Sequence, residues 1–306
     1  MRIGFAGTPQ VAAQVLSHLV NTGQQVELVI TKPDVPKGRG KVLAESEVSS
    51  YARAHGLNLI KPANLDSPDL IQLLHELELD LFIVVAYGNM IPAHLLDVTK
   101  FGWFNLHFSL LPRFRGAAPV QHTLLTGETQ SGVTLFKIQA GMDDGPIHSQ
   151  IQYNISDDDD AQTMLSNLAE IGTDLIDQAL SEVINGKLVL RDQNHELATY
   201  ASKLQSIHSK IDWHKSAMEI RNLVRATAAG PSAFSNLNDK ELKIHRVRLN
   251  STKELMPGQI VKRARQILVG TGGGDLELLE VQPSGKQRMS AFDWFNGLRD
   301  NELTFK

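Results

Sequence analysis

One run of residues constrains the fold of this chain more than any other, because LFIVVA, at positions 81–86, is apolar throughout. A strand with one face in water alternates apolar and polar residues, whereas a parallel strand covered on both faces does not need to. Other strand-like runs occur at 3–6, 26–30, 103–108 and 133–139, and helical spacing occurs at 11–20, 47–55, 67–77 and 120–126. This alternation predicts an α/β fold with a doubly wound, mostly parallel sheet.

The character of the sequence changes near residue 204. Beyond it we predict one helix at 217–226 and then short strands at 242–249, 259–261, 267–269 and 276–281. Pro257-Gly258 and the three glycines at 272–274 separate these strands, which is typical of a small antiparallel barrel. We therefore predict two domains, an α/β domain at 1–204 and a smaller β-barrel at 205–306.

Composition excludes several kinds of chemistry. The chain has no cysteine, so disulfides, thiolate nucleophiles and cysteine-based zinc sites are ruled out. No run reaches the roughly 18 apolar residues of a membrane span. The N-terminal MRIGFAGTPQ is typical of a strand and a turn rather than of a signal peptide. We therefore expect a cytoplasmic protein.

Charge is unevenly distributed along the chain. The net charge is −4, yet residues 207–306 hold 16 Lys and Arg against 11 Asp and Glu. This basic balance favours an anionic macromolecular partner, although solvated surface charge explains it equally well.

Four consecutive aspartates at 157–160 could suggest a metal site, but they directly precede a predicted helix at 161–184. Capping of that helix is the favoured interpretation, and we expect no metal.

Asn105 and His107 interrupt the mostly apolar segment WFNLHFSLLPRFRGAAP at 103–119. Asn105 and His107 are two positions apart, so on a strand both side chains point to one face. At the carboxyl end of a central strand they would lie where open α/β sheets bind ligands. Either a local hydrogen-bond network or chemistry could account for them. An amide and a protonated imidazole are suitable donors to the oxyanion of an acyl-type transfer.

A turn with two aspartates, AGMDDGPI at 140–147, follows the predicted strand at 133–139. A carboxylate there could support the histidine and order a water. By residue pattern alone, an Asp-Gly turn that caps its own backbone is the favoured interpretation.

The pattern N-x-H-x-S-L-L-P-x-[aromatic]-R-G-A-x-P over residues 105–119 resembles the signature of the 10-formyltetrahydrofolate-dependent formyltransferases. The resemblance covers essentially the whole chain and includes FAGTP at 5–9, VVAYGNMIP at 84–92 and GMDDG at 141–145. It implies a Rossmann-like formyltransferase domain at 1–204, an OB-like domain at 205–306, and 10-formyltetrahydrofolate as formyl donor. Asn105, His107 and Asp143 would form the catalytic trio, with Asp144 in the variable position of the family's turn.

The resemblance also implies roles for other residues. In the expected mechanism Asn105 and His107 donate to the oxyanion, while Asp143 orients His107 and helps move a proton from the attacking amine towards the folate nitrogen. The folate site would be lined by the backbone of Ser109, Leu110, Leu111 and Pro112, near Ala86, Tyr87 and Gly88. By itself, Tyr87 would be assigned to the core.

Two features resemble parts found in one branch of the family. Members of that branch formylate methionyl initiator tRNA for translation initiation. One is the loop TKPDVPKGRGK at 31–41, which the resemblance directs to the acceptor arm. The other is the basic barrel. The expected tRNA contacts are Lys32, Lys37, Arg39, Lys41, Lys262, Arg263 and Arg265, with Arg246 and Arg248 as further candidates. Each could also be solvated surface. We expect a monomer.

Other functions remain open at this point. A sugar-nucleotide formyltransferase would share the trio, but the loop at 31–41 and the segment QPSGKQRMSA at 282–291 argue against it. A purine-pathway formyltransferase leaves the C-terminal part unexplained. A nicotinamide dehydrogenase is disfavoured because GFAGTP at 4–9 lacks the G-x-G-x-x-G pattern. A non-catalytic RNA-binding protein would not need all three trio positions. The segments TAAGP at 227–231 and VLAESEVS at 42–49 depart from the family pattern and leave the details of tRNA contact open.

Overall fold

The computed structural model describes residues 1–37, 42–298 and 303–306. The chain divides into two compact units. Unit 1 comprises Met1–Pro119, Gln130–Asn154 and Leu165–Ala201, and unit 2 comprises Val120–Thr129, Ile155–Met164 and Ser202–Lys306. The domain boundary after residue 204 stays a prediction. Among the described residues, no helix is both long and apolar enough to cross a membrane.

Unit 1 contains a seven-stranded sheet in the order β5-β2-β1-β6-β7-β8-β9. Its strands are β1 (Arg2–Gly7), β2 (Gln25–Ile30), β5 (Leu59–Ile60), β6 (Leu81–Val85), β7 (Trp103–His107), β8 (Gln130–Lys137) and β9 (Ile147–Asn154). The strands from β5 to β7 pair in parallel, and β8 and β9 add antiparallel. The short strands β3 (Val35–Lys37) and β4 (Val42–Ala44) form a separate hairpin.

The apolar run LFIVVA forms a central strand, β6. Every residue of β6 is buried, and β6 pairs in parallel with β1 on one side and β7 on the other. The prediction of a mostly parallel α/β sheet is confirmed. The helices are α1 (Gln10–Asn21), α2 (Glu47–Ala54), α3 (Pro68–Glu76), α4 (Pro119–Leu125), α5 (Ala161–Ile184), α6 (Ala217–Ala226) and α7 (Ala291–Asn296).

The aspartate run before α5 caps that helix. The Asp160 carboxylate accepts hydrogen bonds from the backbone N–H of Gln162 and Thr163, both at 2.9 Å. These N–H groups lie in the first turn, where no intrahelical acceptor exists, so the side chain replaces water there. In the part of the chain that the structure describes, no group of three or more His or acidic side chains is arranged to hold a metal ion.

Unit 2 contains an antiparallel barrel, as predicted. Its strands are β10 (Phe234–Leu237), β11 (Lys240–Asn250), β12 (Gln259–Arg263), β13 (Gln266–Thr271), β14 (Gly274–Pro283), β15 (Met289–Ser290) and β16 (Leu303–Thr304). They run in the order β10-β11-β14-β13-β12-β16, with β15 against β14. The backbone N–H of Lys306 donates to the Asn236 carbonyl at 3.0 Å, which brings the two edges of the sheet together. Trp213 and Phe305 stack in the core with ring centroids 4.9 Å apart.

Helix α5 packs closely on β7 because of a glycine. Gly172 is buried, and a Cβ built on it would lie 2.7 Å from Cδ2 of Leu106. Leu106 is buried on the opposite face of β7 from Asn105 and His107, since successive side chains of a strand alternate. The close approach of the helix therefore supports the strand segment that carries the two polar residues.

We expect Gly172→Ala to lower the free energy of unfolding by about 1–3 kcal/mol, because overpacking against Leu106 outweighs the gain in helix propensity. The matched control is Asp174→Ala, an exposed position of the same helix, which should leave stability unchanged or raise it by a few tenths of a kcal/mol. Urea denaturation of both variants measures the difference. A stabilised Gly172→Ala variant would show that the contact relaxes freely.

Candidate active site

The three side chains predicted to form the catalytic trio line one cavity of about 380 Å³ in unit 1. Asn105 and His107 come from β7, which is hydrogen-bonded to β6 on one edge and to β8 on the other. Asp143 comes from the turn between β8 and β9. The rest of the lining is formed by the end of β6 with the residues after it, the residues after His107, and the turn itself.

The hydrogen bonds of His107 identify which ring nitrogen faces Asp143. The ring is buried, with 5% exposure, and Nε2 lies 3.0 Å from the backbone carbonyl oxygen of Phe114. A carbonyl oxygen only accepts, so Nε2 carries a proton and donates it. Nδ1 is 3.7 Å from Oδ2 of Asp143, beyond the length of a direct hydrogen bond.

This arrangement limits what His107 can do. With Nε2–H committed to Phe114, a neutral ring presents a lone pair at Nδ1 and can only accept there. Donation from Nδ1 requires the doubly protonated, positively charged ring. His107 can therefore donate to an oxyanion only as the imidazolium, and only from Nδ1.

Asp143 is held in an uncommon backbone conformation. Its φ is +48°, in the left-handed region, which aspartate tolerates better than most residues. Its Oδ2 accepts a hydrogen bond of 2.7 Å from the backbone N–H of Gly116. Gly116 has φ +116°, and a Cβ there would lie 2.8 Å from the Ala201 carbonyl oxygen. Glycine is therefore required at the position that orients the carboxylate.

The neighbouring Asp144 is directed elsewhere. It lines a different cavity of about 500 Å³, together with Asp97 and Lys137. Its buried Oδ1 has no hydrogen-bond partner among the described residues. The two adjacent carboxylates thus line different cavities, and only Asp143 approaches His107.

The residues after β6 give the cavity an apolar side. Ala86, Tyr87 and Gly88 all line it, and Ala86 and Gly88 have positive φ values of +45° and +76°. Tyr87 also belongs to the hydrophobic core, as its sequence context suggests. Its buried hydroxyl has no hydrogen-bond partner within the described residues. Burial raises the pKa of Tyr87 above its ordinary value, and the neighbouring Asn89 side chain opposes this in part.

The four residues predicted to present backbone to folate do not line this cavity. Ser109, Leu110, Leu111 and Pro112 follow β7 directly, but their polar groups bond within the protein. The Ser109 hydroxyl donates to the Arg113 carbonyl at 2.7 Å. The Leu111 N–H donates to Thr134, and the Leu111 carbonyl accepts from Gln150 at 3.0 Å. A folate contact at these residues stays a prediction.

The basic loop at 31–41 is described only in part. Nζ of Lys32 donates to the Gly88 carbonyl at 2.7 Å, which links the start of this loop to the cavity rim. Lys37 ends strand β3. Arg39 and Lys41, two of the predicted tRNA contacts, lie outside the described residues.

The predicted tRNA contacts Lys262, Arg263 and Arg265 lie on and beside strand β12, and the further candidates Arg246 and Arg248 lie on β11. The Lys262 ammonium and the Arg265 guanidinium lie over the Phe292 ring, at 4.7 and 5.2 Å from its centroid. Arg263 forms an ion pair of 2.6 Å with Glu254. Contact between these side chains and tRNA stays a prediction.

Sequence reasoning missed two residues behind the Asp143 turn. The buried Arg115 guanidinium donates to Oε1 of Gln193 through Nε at 3.1 Å and Nη2 at 2.7 Å. Nε2 of Gln193 donates to the carbonyls of Asp143 and Gly145. A charged residue within the mostly apolar segment at 103–119 was a usable signal for Arg115. Gln193 lies in a polar stretch that gave none.

Comparison with known proteins agrees with this geometry. A formyl transferase family model matches residues 1–180, and a model of the formyl transferase C-terminal domain matches residues 203–299. Among solved structures, the chain resembles an N-formyltransferase from Helicobacter canadensis in complex with folinic acid and dTDP-3-aminofucose. The TM-score is 0.67 at 24% identity, over 92% of this chain and 98% of that one.

Two further similar proteins are both named methionyl-tRNA formyltransferase. The structure of a methionyl-tRNA formyltransferase from Clostridium thermocellum matches with a TM-score of 0.59 at 16% identity, over 83% of this chain and 95% of that one. The methionyl-tRNA formyltransferase of Corynebacterium diphtheriae is 41% identical over 307 residues, covering 99% of this chain and 98% of the relative. Because that identity extends over both chains almost completely, the chain belongs to the methionyl-tRNA formyltransferase family.

Proposed function

We propose that this protein transfers the formyl group of 10-formyltetrahydrofolate to the amino group of methionyl initiator tRNA, giving formylmethionyl-tRNA and tetrahydrofolate for translation initiation. The observation that carries the proposal is the convergence of Asn105, His107 and Asp143 on one cavity. The relative from Corynebacterium diphtheriae, which is similar over the full length, supports the choice of substrate. We also expect the protein to act as a monomer in the cytoplasm.

Asn105 and His107 act on the oxygen of the formyl group. The bound folate supplies an activated formyl carbon, and negative charge develops on its oxygen when an amine attacks. The Asn105 amide donates a hydrogen bond to that oxygen, and the positively charged His107 donates a second one from Nδ1. Donors fixed in advance on a strand stabilise such charge without reorganising, and loss of one typically costs about 10²–10³ in rate.

Asp143 supports the charged histidine and moves protons. Its carboxylate, 3.7 Å from Nδ1, attracts the positive ring and lies close enough for one tightened hydrogen bond or a bridging group. The attacking amine loses one proton and the departing folate nitrogen gains one. Asp143 accepts the first of these, and the charged His107 gives its Nδ1 proton to the folate nitrogen. Asp143 then returns its proton to Nδ1, so the proton count balances. No covalent enzyme intermediate is needed.

The cavity fits a folate in size and character. A volume of about 380 Å³ lies within the range of small-molecule sites. The apolar side after β6 suits a flat heterocycle. The neighbour from Helicobacter canadensis, which was solved with folinic acid, supports a folate-type donor.

The basic residues are assigned to tRNA binding. Lysine and arginine bind phosphates through counterion release, so their contacts position tRNA without reading its sequence. We assign this role to the basic loop, with Lys37, Arg39 and Lys41, and to the basic side chains beside Phe292 in unit 2, Lys262 and Arg265. The main rival acceptor is an amino sugar nucleotide, because a structural neighbour binds one.

A transfer assay tests the function directly. We expect rapid formylation of methionyl initiator tRNA with 10-formyltetrahydrofolate, and little or no reaction with methionyl elongator tRNA or an amino sugar nucleotide. Formyl-methionine released from the tRNA is the measured product. Formylation of the sugar nucleotide alone would retain the trio and refute the tRNA assignment.

Substitution of the two adjacent aspartates tests the assignment of Asp143. We expect Asp143→Asn to lower kcat by about 10²–10⁴, because a proton acceptor next to His107 is lost. Asp144→Asn is the matched control and should keep kcat within about threefold, since its side chain lines a separate cavity. Steady-state kinetics with both substrates saturating measure the two values. Equal losses in both variants would refute the assignment.

A further inference from the structure

The guanidinium of Arg115 is buried in unit 1, and no acidic side chain of the described residues pairs with it. The residue is 3% exposed, and among the described residues its side chain bonds only to neutral groups, Oε1 of Gln193 and Nδ1 of His195. Burial of an unpaired charge is costly, so a position that keeps one needs a reason. Packing alone would be better served by an apolar side chain.

The Gln193 side chain uses all of its hydrogen-bonding groups. Its oxygen accepts two hydrogen bonds from Arg115, and its nitrogen donates to the carbonyls of Asp143 at 2.9 Å and Gly145 at 2.7 Å. A guanidinium has donors only and a carbonyl is an acceptor only. Both neighbours therefore select one orientation of the amide, with its NH₂ group towards the Asp143 turn.

The same segment holds Asp143 at two points. The Gln193 side chain donates to the backbone carbonyl of Asp143. The N–H of Gly116, which follows Arg115 in the chain, donates to the Asp143 carboxylate. The backbone of Arg115 is itself fixed, since its N–H donates to Thr199 at 2.8 Å and its carbonyl accepts from Ala201 at 2.7 Å. The left-handed conformation of Asp143 therefore rests on contacts that begin at Arg115.

We propose that Gln193, oriented by Arg115, is a positioning residue that sets the place of the Asp143 carboxylate relative to Nδ1 of His107. Gln193 does not line the cavity and touches no reacting atom. It acts through the turn. This inference rests on the proposed function, because its effect is measured in formyl transfer.

The test variant is Gln193→Glu, which keeps the shape of the side chain and the acceptor for Arg115. It replaces both donors with a carboxylate oxygen that faces two carbonyl oxygens. We expect kcat to fall about 10–100-fold, because an error of roughly 1 Å in a catalytic group costs up to about 10² in rate. KM for both substrates should stay within about twofold, since the cavity lining is unchanged.

Two further variants separate positioning from general stability. Gln193→Met has similar volume and no donor, and should show the same loss in kcat if Gln193→Glu does not fold. Asn167→Ala removes a partly buried hydrogen bond to the Tyr153 hydroxyl elsewhere in unit 1, and it should leave kcat unchanged. All assays are run below the lowest Tm of the set. Wild-type kcat in folded Gln193→Glu or Gln193→Met would overturn the proposal.

A double-mutant cycle with Asp143→Asn gives the sharpest readout, measured in single turnover with excess enzyme. If Gln193 acts through the Asp143 carboxylate, adding Gln193→Glu to Asp143→Asn should cost less than about threefold more. Multiplicative losses would overturn the proposal. A wild-type protein with no formyl transfer would instead refute the proposed function, so the two failures are distinguishable.

Discussion

The hydrogen bond between the His107 ring and the Phe114 carbonyl decides which chemistry this site can perform. It commits Nε2 as a donor and leaves Nδ1 as the only ring nitrogen available to Asp143 and to a substrate. Without that bond the ring could present either nitrogen in either tautomer. The partner lies seven residues further along the same segment, so one short stretch of chain supplies both the histidine and the group that fixes its proton.

Strand β7 provides rigid support for the His107 ring whose proton is fixed in this way. Strand β7 is paired on both edges, with β6 in parallel and β8 antiparallel, and α5 packs on its other face through Gly172. Groups on central strands hold their positions more closely than groups on loops. The sheet holds the backbone of Asn105 and His107, whereas Asp143 lies on a turn and depends on contacts from distant residues.

The sequence predicted the elements better than it predicted their interactions. The bounds of α5 and α6 match the predicted 161–184 and 217–226, because clear periodicity and capping residues mark both ends. The strand predicted at 133–139 was found at Gln130–Lys137, and its antiparallel direction was not predicted, since an apolar run carries no sign of direction. The hairpin of β3 and β4 was also not predicted, because its residues have no strand alternation.

The candidate site could be predicted only in part, for a similar reason. The resemblance to known formyltransferases brought Asn105, His107 and Asp143 together, while local pattern alone favoured a plain turn at 140–147. Gln193 is 50 residues from Asp143 and 78 from Arg115 along the chain, and its contacts are made by one amide. No periodicity or spacing encodes such a link, so three-dimensional structure was needed to find it.

The turn that carries Asp143 is stabilised by hydrogen bonds from outside it. A left-handed residue other than glycine costs about 1–2 kcal/mol. Each hydrogen bond from Gln193 contributes about 0.5–1.5 kcal/mol, so the two offset this cost. The carboxylate is thereby held 3.7 Å from Nδ1, slightly too far for a hydrogen bond. Catalytic hydrogen bonds in free enzymes are often long and shorten when substrates bind. Because Gln193 fixes the backbone of the turn and Gly116 holds Oδ2, that small approach keeps the alignment of the carboxylate.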